Sequence, residues 1–133
     1  MKFYGWVVGC IFASLFRKAP LDVQAADRVL KPLERSIMQE FVLLSYGVGP
    51  VYQGKVVGFY GDFAASLPLT RAKAEETLLQ LKDRMLNVLK QDAFLAEHLD
   101  FPIEAAALSL SLTYSGEEGK AHECLFERGN IIR

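Results

Sequence analysis

A chain of 133 residues is long enough for one domain with a buried core and too short for two ordinary ones. Hydrophobic residues make up 51%, near the globular average, which excludes wholesale disorder. The 15 basic and 16 acidic residues leave a net charge of −1 and form no long runs, so no nucleic-acid partner is expected.

The first distinctive stretch is residues 3–16 (FYGWVVGCIFASLF), uncharged and mostly apolar, between Lys2 and Arg17-Lys18. Its length suits the core of a secretory signal better than a transmembrane helix, which needs about 17–25 residues. Val23-Gln24-Ala25 offers small residues at the spacing a signal peptidase reads, with cleavage before Ala26. Residues 1–25 therefore read as a signal peptide or membrane anchor, and residues 26–133 as a single domain. Arg17 and Lys18 stand where a signal's polar end is usually uncharged, which leaves an uncleaved anchor open. A buried first helix or strand of the domain is the third reading. The expected location is exported: periplasmic or secreted, or held at the inner membrane through residues 3–16. Val7-Val8-Gly9-Cys10 has the form of a bacterial lipobox, but too few apolar residues precede Cys10 to make a signal core. If export removes Cys10, Cys124 remains with no intrachain disulfide open to it.

Residues 27–44 read as an amphipathic helix, with Val29, Leu33, Ile37 and Phe41 at four-residue steps. Pro32 is tolerated only near a helix start, so the helix is expected to begin at Asp27 or Arg28. The run Ser45-Tyr46-Gly47-Val48-Gly49-Pro50 reads as a breaker cluster. A strand is expected over 51–63, where Gly58 and Gly61 suggest a bend or a helix packed close above. The organising element is a helix over 70–89, capped by Thr70. Its stripe is Ala74, Leu78, Leu81, Met85 and Val88, widened by Leu79, Leu86 and Leu89. So broad an apolar face calls for a sheet. Asp92 can cap a short helix over 93–99, stopped by Asp100-Phe101-Pro102. Leu108, Leu110, Leu112 and Tyr114 alternate with Ser109, Ser111 and Thr113 in the cleanest strand of the chain. Residues 115–120 make a turn, 121–126 return as the hairpin partner, and Gly129-Asn130 bends the chain before Ile131-Ile132-Arg133. The order helix, strand, helix, strand, strand predicts an α+β domain with helices on one face of a small antiparallel sheet.

This order of motifs resembles a family of small exported proteins from intracellular bacteria of the Legionella and Chlamydia kind. The carriers are the glycine turn Tyr46-Gly47-Val48-Gly49, the helix start Ala72-Lys73-Ala74, and the link from Phe94-Leu95 to Phe101-Pro102, with its last two residues in reversed order. The resemblance spans residues 27–133. It implies export and, because the family carries no assigned activity, no site residues.

The sequence offers few groups for chemistry. His122 and Cys124 share a strand face, but side chains two apart stand about 6–7 Å from each other, long for a nucleophile and its base. As metal ligands they are two where zinc wants three or four. His98 lies apart from them. Gly47-Val48-Gly49 with Gly54 follows a helix rather than leading into one, the wrong pole for a phosphate cradle. Glu117-Glu118 reads as a solubilising turn, and Glu104, Glu123 and Glu127 are scattered. No catalytic, cofactor or metal residues are therefore expected. The reading is a non-enzymatic exported domain acting through protein contacts; the alternatives are a membrane-anchored accessory subunit and, remotely, a Cys124–His122 hydrolase.

Overall fold

The computed structural model describes residues 19–132. The apolar run 3–16, Cys10, Arg17-Lys18 and the terminal Arg133 lie outside the described residues. Helix α1 spans Leu21–Phe41, strands β1 and β2 span Leu43–Tyr52 and Val56–Ala65, and helix α2 spans Arg71–Lys90. The short helix α3 (Ala93–Glu97) and a 3₁₀ turn (Ala105–Ala107) lead to β3 (Leu108–Ser115), β4 (Ala121–Glu127) and β5 (Asn130–Ile132). The five strands lie in the order β1-β2-β3-β4-β5, antiparallel except for the parallel pair β2–β3. That parallel pair needs a long crossover, which α2 and α3 supply. The expected α+β architecture with helices on one face of a small sheet is the one observed.

The core lies between the helices and the inward residues of the sheet. Leu30 and Ile37 from α1, and Leu78, Leu81, Met85 and Leu89 from α2, meet Phe59, Phe63, Leu110, Leu112 and Phe126. Thr70 caps α2 by accepting the Lys73 amide at 3.1 Å, and Asp92 caps α3 by accepting the Leu95 amide at 2.8 Å, both as expected. Leu79 is an exception to the stripe on α2. It is exposed, and the buried Thr77 takes a place on that face, its hydroxyl donating to the Lys73 carbonyl at 2.8 Å.

Two elements differ from expectation. Helix α1 begins at Leu21 rather than at Asp27 or Arg28, and Pro32 sits in its interior. Ala25, Ala26, Val29 and Leu30 are all buried, so the packed stripe continues toward the amino end and outweighs the one hydrogen bond that Pro32 cannot make. The expected breaker cluster is strand: Gly47, Gly49 and Pro50 lie within β1, and residues 51–63 belong to two strands joined by a tight turn, with Gly54 at φ +76°. The glycines of β1 make room for an aromatic ring. A Cβ at Gly49 would come within 3.1 Å of the Tyr60 ring, which crosses from the neighbouring strand. The close approach expected above Gly58 is real, but it comes from the 3₁₀ turn: a Cβ at Gly58 would stand 2.9 Å from the Ala107 carbonyl oxygen.

Candidate functional site

One region gathers titratable side chains and another gathers exposed apolar surface beside a sheet edge. The first is a pocket of about 330 Å³ where the start of α2 meets the β3–β4 turn, lined by Thr70, Arg71, Tyr114, Glu117, Glu118 and His122. His122 Nε2 lies 2.6 Å from Glu118 Oε1. An ionised carboxylate only accepts, so the imidazole donates in this bond. The contact holds the Glu118 carboxyl below the usual glutamate range, chiefly through that hydrogen bond. The imidazole also stacks on Tyr114, ring centres 5.4 Å apart. Gly116 leaves room for the pair, since a Cβ there would lie 2.9 Å from His122 Nε2.

His122 and Cys124 do share the inward face of β4, opposite Tyr114 and Leu112 respectively. The imidazole, however, is exposed at the end of the sheet and bonded to Glu118, while the Cys124 side chain is buried in the core. His98 is remote from both and contacts its own helix, Nδ1 lying 2.8 Å from the Phe94 carbonyl oxygen. Among the described residues no group of three or more His, Cys, Asp or Glu side chains is arranged to hold a metal ion. The Glu118–His122 contact was not legible in the sequence; its signal is a four-residue spacing across a tight turn.

The second region is the corner where α1 passes into β1. Val42 adopts a left-handed conformation (φ 55°, ψ 51°), its amide donating back to the Met38 carbonyl, and turns the chain directly into the strand. This conformation is uncommon for a β-branched residue and costs of the order of 1–3 kcal/mol. It points Val42 outward, 60% exposed. A register shift between Ser45 and Gly47 follows, and Tyr46, the residue left without a partner in that register, is 73% exposed. Leu44 and Leu67 are also exposed. Val42 and Leu67 line a groove of about 270 Å³ together with Phe41, Leu43, Ala65 and Leu69. Among the described residues β1 is an outer strand of the sheet and pairs only with β2. Its outward edge therefore offers backbone donors and acceptors beside apolar side chains. Reading residues 45–50 as a turn hid this surface, although Leu44, Tyr46 and Val48 alternate through the cluster in the manner of a strand.

Among the described residues no helix is long and apolar enough to cross a membrane. No family model, no curated protein and no solved structure matches this chain. The candidate site is accordingly defined by its own geometry: an edge strand with a strained, apolar corner.

Proposed function

We propose that this chain is an exported domain tethered to the membrane by residues 3–16, acting through protein contacts rather than through chemistry of its own. The observation that carries the tether is the packing of α1. Ala25 and Ala26 are buried side by side within the helix, and Asp22 accepts the Val56 amide at 2.8 Å. Cleavage before Ala26 would divide a packed helix and discard the Asp22 link to the sheet. Retention of residues 1–25 keeps both, which favours an anchor over a cleaved signal. The protein-contact reading is supported by the exposed Leu44 and Tyr46 on an edge strand, with Val42 and Leu67 exposed in the connections beside it, a surface suited to strand addition or to an apolar partner.

Intact-mass measurement of the protein from fractionated cells tests this. The expected result is a chain that retains residues 1–25 and leaves the membrane fraction only with detergent. A soluble periplasmic protein beginning at Ala26 would overturn the tether.

A further inference from the structure

The end of the domain where α1 begins carries a second set of exposed apolar side chains. The Asp22–Val56 bond joins the start of α1 to the tip of the β1–β2 hairpin. Arg28 on α1 donates to both carboxylate oxygens of Asp92, at 2.9 and 3.0 Å, and so brings α3 to the same end. Three large side chains stand out there: Leu21 at 60% exposure, Tyr52 at 48% and Phe94 at 44%. Leu21, Gln24, Arg28 and Phe94 enclose an open cleft of about 440 Å³, with the Arg28 guanidinium 5.1 Å from the centre of the Phe94 ring. Two cations described at this end have carboxylate partners, Arg28 in Asp92 and Lys55 in Asp100 at 2.6 Å. What remains for an occupant is mainly apolar and aromatic surface, rimmed by groups able to meet polar headgroups.

The order of the chain names the occupant. The apolar run ends at Phe16, and only Arg17-Lys18-Ala19-Pro20 separate it from Leu21. Even fully extended, so short a link spans no more than about 17 Å, at roughly 3.5 Å per residue. A bilayer that holds residues 3–16 therefore lies within reach of Leu21 and of whatever surrounds it. We propose that this end of the domain rests on the lipid bilayer, with Leu21, Tyr52 and Phe94 seated in the interfacial layer. This rests on the tethered reading above. Because Arg28 and Lys55 already meet carboxylates, the contact through Leu21, Tyr52 and Phe94 is apolar in character and forms on zwitterionic lipid.

The test uses the full chain reconstituted into phosphatidylcholine vesicles, with and without bromine on the acyl chains, which quenches nearby indoles. Trp6 is the only tryptophan and reports on the tether itself. In a Trp6→Phe background, Phe94→Trp moves the probe to the proposed contact, and Leu67→Trp moves it to the opposite end of the domain. Tyr52→Trp in the same background gives the contact reading should the Phe94 variant fail to fold. The expected result is loss of emission on brominated vesicles for wild type and for Phe94→Trp, unchanged in high salt, with no loss for Leu67→Trp. Quenching of wild type without quenching at position 94 would overturn the contact and leave the tether standing. No quenching in any of them would overturn both. Equal quenching at positions 94 and 67 would show adsorption without a preferred end, and would also overturn it.

Discussion

At the scale of single residues, the Glu118–His122 bond has a measurable consequence. The folded protein holds Glu118 below its ordinary value, and the hydrogen bond from His122 is the largest cause. A carboxylate depressed on folding adds stability that is present above its unfolded value and is lost as pH falls through the folded one. The pair is solvent-exposed, so the gain is small. A carboxyl-resolved NMR titration is expected to place Glu118 below the ordinary glutamate value, and His122→Ala to move it back up. An unchanged Glu118 in that variant would mean that the bond does not form in solution. Gly58 illustrates what sequence reasoning can reach at this scale: a glycine in a strand signals a close neighbour, and the neighbour is there. Which neighbour it is depends on tertiary folding, because Ala107 is brought against β2 only when the crossover closes. Gly49 misled for a related reason. Its small size serves the Tyr60 ring, a contact between strands, and looks from the sequence like a local turn.

At the scale of elements, α2 divides cleanly into a buried and a wet face. Leu81 and Met85 are fully buried, one turn apart, against the sheet, whereas Gln80 and Asn87 are exposed. Leu81→Ala or Met85→Ala is expected to cost about 2–5 kcal/mol through lost burial and a residual cavity. Gln80→Ala and Asn87→Ala should each change stability by no more than about 0.5 kcal/mol. Urea melts of the four variants check this, and comparable losses on both faces would require a second wall that a partner supplies. Helix α2 was legible because its apolar spacing, its Thr70 cap and its length all agree. The strand β3 was legible for the same reason, by strict alternation from Leu108 to Tyr114. Helix α1 was half legible. Its carboxyl half follows the pattern, but Pro32 argued locally against the turns before it, and only the burial of Ala25 and Ala26 decides in their favour. The exposed corner could not be read at all from composition, since an apolar side chain on an edge strand has the same sequence signature as one in the core.

At the scale of the whole molecule, α1 is tied to the sheet near its start and to α2 toward its end. Near its start Asp22 fixes the β1–β2 hairpin, and toward its end Ser36 and Glu40 accept from Arg84 on α2. A chain beginning at Ala26 loses the first of these and a turn of packed helix. It is expected to be less stable by about 2 kcal/mol, the scale of one hydrogen bond to a charged group. Denaturant midpoints of chains starting at Ala19 and at Ala26 measure it, and equal midpoints would remove the packing argument for a retained leader. The single unbroken rod of α1 also sets a height. Its 21 residues extend about 30 Å, at roughly 1.5 Å per residue, from the end that carries Leu21 to the corner at Val42. On the proposed bilayer contact, an upright α1 would carry the apolar corner clear of the headgroups by about the thickness of the hydrocarbon layer itself. A partner with only short loops outside the bilayer falls short of it. Under the proposed tether, the reach of α1 would select for a partner that projects well into the aqueous space, or for one that arrives from it.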